Sequence, residues 1–134
     1  MRPVIFDTDI GTDVDDILAL VLLAKAPELN LRGITTVYGD TLLRAKIAQV
    51  TARLLGRTDL AILPGAQQTL SGRQIHWAGH EGEGVPDLLK SEIHVSQSVE
   101  EYIAENAERF PGELEILATG PLTNIAKAIT AAPG

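Results

Sequence analysis

Short apolar runs alternate with longer segments of helical periodicity along most of this chain. The longer segments repeat apolar residues at intervals of three and four, which is typical of a helix with one buried face. The polar positions between them, Arg44 and Lys46 among them, are expected to face solvent. The apolar runs predict strands over residues 3–6, 31–37, 60–63 and 114–118. The periodic segments predict helices over residues 14–25, 41–55, 99–108 and 122–129.

Strands that alternate with helices are typical of a parallel sheet covered on both faces. No internal repeat or linker-like segment divides residues 1–134. We therefore expect one unit of the α/β class, with a mainly parallel, open sheet and helices on both faces. Ligands of such sheets bind beyond the carboxyl ends of the strands, so the residues that follow the predicted strands are the first candidates for a site.

A long loop is predicted over residues 66–86, which contain many Gly, Gln and His residues and no sustained periodicity. Loops of this length in a compact domain are usually functional or mobile. His80 lies in this loop, close in sequence to His76 and Trp77. It is a candidate for contact with a ligand, and a surface histidine without a role is the alternative.

The composition narrows the class of protein. The chain has 134 residues and a formal net charge of −7, which opposes binding to nucleic acids or to anionic membranes. It contains no cysteine, so disulfides and thiolate metal sites are excluded. The longest apolar stretch, residues 17–26, has about half the length of a membrane span, and the N-terminus does not read as a signal peptide. We expect a soluble, cytoplasmic protein with a small-molecule partner, and a homo-oligomer is compatible with the sequence.

Five of the 18 acidic residues fall between Asp7 and Asp16, directly after the first predicted strand. One interpretation is helix capping, in which Thr12 or Asp13 caps the next helix and Asp15 or Asp16 lies in its first turn. Capping uses only one or two of the five carboxylates, and the others repel one another. A bound divalent cation would turn this repulsion into attraction, and the oxygen-only ligand set favours Ca²⁺ or Mg²⁺ over zinc.

An Asp-x-Asp sequence after a strand is also found in aspartate-nucleophile phosphatases of the haloacid dehalogenase type. Those enzymes continue directly with Gly-Thr, whereas here Ile10 separates Asp9 from the glycine. A phosphatase with Asp7 as its nucleophile is therefore an alternative interpretation of the same loop.

Four segments together carry a resemblance to a known family. Residues 7–16 contain an Asp-x-Asp-x-Gly motif followed by an Asp-Asp pair, and residues 37–40 read Val-Tyr-Gly-Asp. Residues 63–66 read Leu-Pro-Gly-Ala, and residues 119–126 read Thr-Gly-Pro-Leu-Thr-Asn-Ile-Ala. In these segments and in their order, the sequence resembles the inosine–uridine nucleoside hydrolase family.

The resemblance implies a Rossmann-like nucleoside hydrolase core and an enzyme that hydrolyses the N-glycosidic bond of ribonucleosides with bound Ca²⁺. Asp9 would be a calcium ligand and also the catalytic base that activates a calcium-bound water. Asp16 would bind the same calcium ion, as would the backbone carbonyl of Thr123.

Other residues would contact the ribonucleoside or support the metal ligands. By the match to the family, Asp15 and Asp40 would hold ribose hydroxyls. His80, from its place in the long loop, would touch the base or help the leaving group depart. Asp7 would support the metal ligands from behind. Asn124 would cap the last helix or steady the preceding carbonyl, and we favour the cap.

Two features depart from the family's pattern. The segment between Gly11 and the Asp-Asp pair is longer than the common form, which adds Asp13, a carboxylate that would compete with the pair for the cation. Asp40 stands where the family has Asn, and an ionised carboxylate only accepts hydrogen bonds.

Family members are much longer than this chain, and no segment here matches the Asp, His, Asn and Glu residues that the later part of their site supplies. We expect residues 1–134 to be the N-terminal part of a larger nucleoside hydrolase domain, inactive or weakly active alone. A non-catalytic module that binds calcium or a nucleoside is the alternative from another class.

Overall fold

Four strands and four helices make up the computed structural model, which describes residues 1–134. In chain order they are β1 (Arg2–Thr8), α1 (Asp15–Lys25), β2 (Leu29–Thr36), α2 (Thr41–Leu54), β3 (Ala61–Pro64), α3 (Val99–Arg109), β4 (Glu115–Ala118) and α4 (Thr123–Ala131). A short 3₁₀ helix, Leu88–Lys90, was not predicted. Every predicted strand and helix is present, and residues 66–86 contain neither, as expected.

The strands form one parallel sheet in the order β3-β2-β1-β4. Near the carboxyl end of β1, Asp7 lies opposite Thr35 of β2 and Ala118 of β4, and Thr8 lies opposite Thr36. The segments that follow these three strands therefore leave the sheet at one edge. This confirms the α/β class and the expectation that the acidic loop and the segments after β2 and β4 meet there.

Alternating side chains of β1 face two separate cores. Val4 and Phe6 pack with residues of α1 and α2, including Leu20 and Ile47. The intervening Ile5 faces the other side of the sheet and belongs to a cluster of α3 and α4 residues, namely Val99, Tyr102, Ile103 and Ala128, together with Leu63 of β3. Since successive side chains of a strand point to opposite faces, this arrangement confirms helices on both faces of the sheet.

β1 extends two residues beyond the predicted end, so Asp7 and Thr8 belong to the strand rather than to the loop. Both residues are fully buried. The apolar pattern ends at Phe6, but pairing with the neighbouring strands continues because the polar side chains of Asp7 and Thr8 find hydrogen-bond partners inside the fold.

The capping interpretation of the acidic loop is wrong in its details. The N-cap of α1 is Val14, and no side chain caps this helix. Thr12 and Asp13 precede the cap, while Asp15 and Asp16 occupy the first turn, where the helix dipole favours acids. Capping therefore does not account for the other carboxylates of the loop.

None of the helices combines the length and the apolar character needed to cross a membrane.

The helix α3 begins with a reciprocal capping box. Glu101 N–H donates to Ser98 Oγ at 3.1 Å, and Ser98 N–H donates to Glu101 Oε2 at 2.9 Å. We expect Ser98→Ala to lower the free energy of unfolding by about 1 kcal/mol, measured by urea denaturation. Ser96→Ala, at an exposed position outside the helix, is the matched control and is expected to change it by less than about 0.5 kcal/mol. Equal effects of the two substitutions would contradict this assignment.

Candidate functional site

Asp9 and Asp16 form a pair of neighbouring carboxyl groups at the carboxyl edge of the sheet. Asp9 follows β1 directly, and Asp16 lies in the first turn of α1 with 3% of its surface exposed. Burial raises the pKa of Asp9 to about 6, and a hydrogen bond and repulsion from Asp16 add to the increase, while Arg44 opposes it. Two carboxyl groups in such contact can share a proton or bind one cation between them.

The carboxylate of Asp16 is held by two threonines, one at the end of β1 and one directly after β4. Thr8 Oγ1 donates to Asp16 Oδ2, and Thr119 Oγ1 donates to the same oxygen at 3.0 Å. Thr8 Oγ1 also accepts from the Ile10 N–H at 3.0 Å, which fixes the first turn of the acidic loop. The orientation of Asp16 is therefore set by β1 and by the segment after β4.

Asp7 lies behind this pair and is completely buried. Its Oδ1 accepts hydrogen bonds from Thr35 Oγ1 at 2.6 Å and from Asn124 Nδ2 at 2.8 Å. Burial raises the pKa of Asp7, and these two hydrogen bonds oppose the increase. Its Oδ2 is buried without any hydrogen-bond partner.

Asn124 is not the cap of α4, contrary to our expectation. The N-cap is Leu122, and the Asn124 side chain, 1% exposed, points into the fold. Its Nδ2 donates to Asp7 and also to the Thr36 carbonyl at 3.0 Å, and its Oδ1 accepts from Ala66 N–H at 2.9 Å. Asn124 therefore connects α4 to the ends of β1 and β2 and to the start of the long loop.

Asp13 and Asp15 form a second carboxyl pair, at the exposed side of the loop. A hydrogen bond between the two raises the pKa of Asp13 and lowers that of Asp15. Both side chains are exposed to solvent.

A cavity of about 240 Å³ lies over these carboxylates. Its lining comes from the acidic loop, the turn after β2, the long loop and the segment after β4: Asp9, Thr12, Asp13, Asp15, Tyr38, His76, Trp77 and Thr119. A larger cavity of about 460 Å³ lies beside β3 and the C-terminal end of α2, and no acidic residue lines it. We assign the site to the smaller cavity because it combines carboxylates with the carboxyl edge of a parallel sheet.

Arg44 is buried rather than exposed, which corrects the prediction of a solvent-exposed face. Only 1% of its surface is accessible, although it lies in an otherwise amphipathic helix. Its guanidinium contacts the acidic loop through the Asp9 and Ile10 carbonyls and forms an ion pair with Glu81 of the long loop. Helical periodicity gives no signal for an arginine that turns toward the end of the sheet.

Besides the buried Asp7, Asp16 and Asn124, three further predicted site residues lie outside the cavity lining. Asp40 is exposed and is the N-cap of α2, where its Oδ1 accepts from Leu43 N–H at 3.0 Å. His80 Nε2 lies 2.8 Å from the Thr12 carbonyl oxygen, at the rim of the cavity. Thr123 is buried at the start of α4.

Gly120 brings the segment before α4 into contact with the acidic loop. A Cβ at this position would lie 3.2 Å from both Cβ and Cγ of Asp9. A side chain here would therefore press against the candidate base, so the close approach depends on glycine.

The family profile described as inosine-uridine preferring nucleoside hydrolase matches residues 4–134. The chain belongs to this family. Uridine nucleosidase 1 of Arabidopsis thaliana is 35% identical over 132 residues, which cover 93% of this chain and 39% of that protein. The pyrimidine-specific ribonucleoside hydrolase RihA of Citrobacter koseri is 33% identical, over 98% of this chain and 43% of that protein.

Solved structures of nucleoside hydrolases share the fold. The structure of the plant nucleoside hydrolase PpNRh1 superposes with a TM-score of 0.82 at 29% identity, over 98% of this chain and 43% of that chain. A purine-preferring ribonucleoside hydrolase from Gardnerella vaginalis gives a TM-score of 0.77 at 26% identity. The chain thus spans about two-fifths of the length of the curated relatives that it matches.

Sequence reasoning did not single out Tyr38 or Thr119 as part of this candidate site. Both follow strands, at the edge where ligands bind, so the rule that selected the acidic loop also applies to them. Tyr38 adopts a positive φ of 74°, and its hydroxyl accepts from His76 N–H at 2.8 Å. This contact brings His76 and Trp77, rather than His80, into the cavity lining.

The donor set fits a hard divalent cation in part. Asp16 is close enough to raise the pKa of Asp9, and Asp7 Oδ2 is buried without a hydrogen-bond partner. No three Asp, Glu or His side chains are gathered into a complete metal-binding group, whereas Ca²⁺ takes about 6–8 oxygen ligands. Two carboxylates of this chain would therefore need further oxygen ligands.

The phosphatase alternative does not fit this geometry. A nucleophilic aspartate must reach the phosphorus atom of its substrate. Asp7 has no exposed surface, and Oδ1 is occupied by Thr35 and Asn124.

The hydrogen bonds of Asn124 lead to a prediction on stability. Asn124→Ala removes three hydrogen bonds and leaves Asp7 with fewer partners, so we expect a loss of about 3 kcal/mol in the free energy of unfolding. Asn106→Ala is the control, since this other buried asparagine donates to the Tyr102 carbonyl alone, and we expect it to lose about 1 kcal/mol. Urea denaturation of both variants measures the difference; similar losses would argue against a special role for Asn124.

The raised pKa of Asp9 leads to a prediction on pH dependence in the presence of a chelator. The folded chain takes up a proton at about pH 6, whereas the unfolded chain does so near 3.8. Stability therefore increases as the pH falls from 7 to 5, by about 1 kcal/mol, because the folded state binds more protons in this range. Asp9→Asn is expected to reduce this increase, to which the buried Asp7 with its raised pKa also contributes, and Asp87→Asn, at an exposed position, to retain it. Chemical denaturation at both pH values provides the test, and an unchanged slope in Asp9→Asn would refute the assignment.

Proposed function

We propose that this chain forms the N-terminal part of a ribonucleoside hydrolase and supplies the calcium-binding and ribose-binding side of its active site. The observation that carries the proposal is the Asp9–Asp16 carboxyl pair, which lies at the carboxyl edge of the sheet in a chain of the nucleoside hydrolase family. Asp15 lines the same cavity as Asp9. Acidic groups at this position suit a cation and a sugar with several hydroxyls.

Asp9, Asp16 and the Thr123 carbonyl are the proposed ligands of the cation. When bound, Ca²⁺ would lower the pKa of a water molecule and orient ribose hydroxyls, as hard cations with oxygen ligands do. Thr8 and Thr119 hold Asp16 in one orientation, so this ligand does not have to be ordered when the cation binds.

Asp9 is the proposed catalytic base because it is a carboxylate that faces the cavity from the end of β1. It accepts a proton from the attacking water, whose oxygen forms a bond to C1′ of the ribose. The bond between C1′ and the base nitrogen breaks, and its electron pair leaves with the base. The base takes a proton from solvent, and Asp9 returns the proton of the water to solvent. The transition state has oxocarbenium character, and the negative charge of Asp15 stabilises it.

The ribose contacts of the proposal are Asp15 and Asp40, and His80 is proposed to lie near the base. Asp15 is exposed and borders the cavity. Asp40 uses Oδ1 for the cap of α2, so Oδ2 is the oxygen available to a hydroxyl. His80 is held at the rim by the Thr12 carbonyl.

A module that binds calcium or a nucleoside without turnover is the second candidate for residues 1–134 by themselves. The cavity, about 240 Å³, is smaller than the roughly 300–1,000 Å³ of typical small-molecule sites. The small volume and the incomplete set of metal ligands both indicate that part of the site is missing from residues 1–134. They support a chain that binds calcium or a nucleoside by itself and hydrolyses nucleosides only within a longer protein.

The calcium site is tested by calorimetric titration of the chain with Ca²⁺. We expect one binding event, and we expect Asp9→Asn and Asp16→Asn each to weaken it at least tenfold because each removes a ligand charge. Asp59→Asn is the control, since Asp59 pairs with Arg57 outside the cavity, and its affinity should equal that of the unchanged chain. Absence of calcium binding, or equal effects of all three variants, would contradict the site.

Hydrolysis is tested by the release of ribose from inosine and from uridine. We expect little or no release by residues 1–134 alone, and calcium-dependent release by a protein that contains this chain together with the C-terminal remainder of a family member. Asp9→Asn should reduce the rate of the latter by about 10²-fold or more, because the base is lost. Rapid release by residues 1–134 alone would contradict the proposal that the site is shared with a later part of the domain.

A further inference from the structure

Arg44 lies between the acidic loop and the long loop, which together form most of the cavity lining, and it forms hydrogen bonds to both. It belongs to α2 and is 1% exposed. On one side, Nη1 donates to the Asp9 carbonyl at 2.6 Å and to the Ile10 carbonyl at 3.0 Å, and Nε donates to the Tyr38 carbonyl at 2.7 Å. These carbonyls belong to the segments that follow β1 and β2, so one side chain joins the ends of two strands.

On its other side, Arg44 contacts the long loop through Glu81. Nη2 lies 3.3 Å from Glu81 Oε1, and both side chains are almost completely buried. Glu81 also accepts from Thr12 Oγ1 at 3.1 Å and from Gly79 N–H at 2.7 Å. Burial works against the ionised form of Glu81, but the hydrogen bonds and Arg44 lower its pKa overall. The carboxylate therefore remains charged and neutralises the guanidinium.

Only a guanidinium can make this set of contacts. Its donors point in fixed directions within one plane, whereas the ammonium of a lysine offers three donors from a single nitrogen. Arg44 uses three nitrogens to reach the three carbonyls, the carboxylate of Glu81 and also Thr12 Oγ1 at 2.9 Å. A lysine at this position would leave some of these buried groups without partners.

The two segments that Arg44 joins carry most of the cavity lining. Asp9, Thr12, Asp13 and Asp15 come from one, and His76 and Trp77 come from the other, only a few residues before Glu81. A further contact supports the same connection, since His80 Nε2 lies 2.8 Å from the Thr12 carbonyl oxygen. The buried ion pair joins α2 to the long loop, and the carbonyl contacts of Arg44 extend this connection to the acidic loop.

We propose that Arg44 and Glu81 are positioning residues, which clamp the long loop onto the acidic loop and hold the cavity in its ligand-binding shape before a ligand arrives. Neither residue has to touch the ligand. The clamp fixes the backbone at Asp9 and sets the distance between the carboxylates and the aromatic wall formed by His76 and Trp77. The proposal rests on the proposed function only in assigning calcium and a ribonucleoside to that cavity.

The first test is hydrogen–deuterium exchange of the ligand-free protein. We expect Arg44→Lys, Arg44→Met and Glu81→Gln to speed exchange at least tenfold in residues 9–13 and 76–82, with exchange in α3 unchanged. Glu81→Gln is nearly isosteric and keeps the carbonyl contacts of Arg44, so it reports on the clamp even where the Arg44 variants fail to fold. Lys46→Met and Glu83→Gln, two positions along the same helix and the same loop, are the controls and should leave exchange unchanged.

The second test is the affinity for Ca²⁺ alone, measured by calorimetry on the folded variants. If the two residues act as a clamp, Glu81→Gln weakens Ca²⁺ binding about tenfold with unchanged stoichiometry. Arg44→Lys weakens it as well, because a lysine keeps the charge but not the set of contacts. A purely structural role would lower the free energy of unfolding and leave the affinity of the folded protein unaltered, and that result would overturn the proposal. Unchanged exchange in both segments of Glu81→Gln would overturn it as well.

The two tests separate the clamp from the proposed function. Absence of calcium binding in the unchanged protein would refute the calcium site, while the exchange experiment alone would then decide on the clamp. Faster exchange confined to the two segments supports the clamp in either case.

Discussion

The burial of carboxylates at the carboxyl edge of the sheet is the constraint on which the rest of this structure depends. Asp7 and Asp16 are almost inaccessible to water, and a buried carboxylate without partners is strongly unfavourable. The fold responds by bringing hydroxyl and amide donors from Thr8, Thr35 and Asn124 to them. Because these donors come from different strands and from α4, the same hydrogen bonds that satisfy the acids also hold the strand ends together.

Arg44 orders this acidic edge from behind through hydrogen bonds, while Glu81 neutralises its charge. It bonds to backbone carbonyls and to Glu81 rather than forming an ion pair with the carboxylates of Asp9 and Asp16. An arginine paired directly with those acids would compete with a cation for them. By binding the carbonyls instead, Arg44 orders the loop and leaves the acidic side chains free to face the cavity.

The geometry also accounts for the relation between this chain and its longer relatives. The chain carries one wall of a site, with two neighbouring carboxylates, an exposed pair of acids and a small cavity. It covers about two-fifths of the length of related nucleosidases. In the proposed function, these groups would form one part of an active site that a longer protein completes.

The sequence by itself determined the order and type of the strands and helices, because apolar periodicity is a local property of the chain. It also determined that the acidic loop and the segment before Asn124 would meet, since parallel strands bring their carboxyl ends to one edge. The direction of individual side chains was decided only by tertiary structure. Arg44 belongs to an amphipathic helix and looked solvent-exposed, and Asn124 looked like a helix cap, yet both turn inward. Their partners, Glu81 and Asp7, are 37 and 117 residues away in the sequence, so no local pattern could have revealed that these charges and amides satisfy one another.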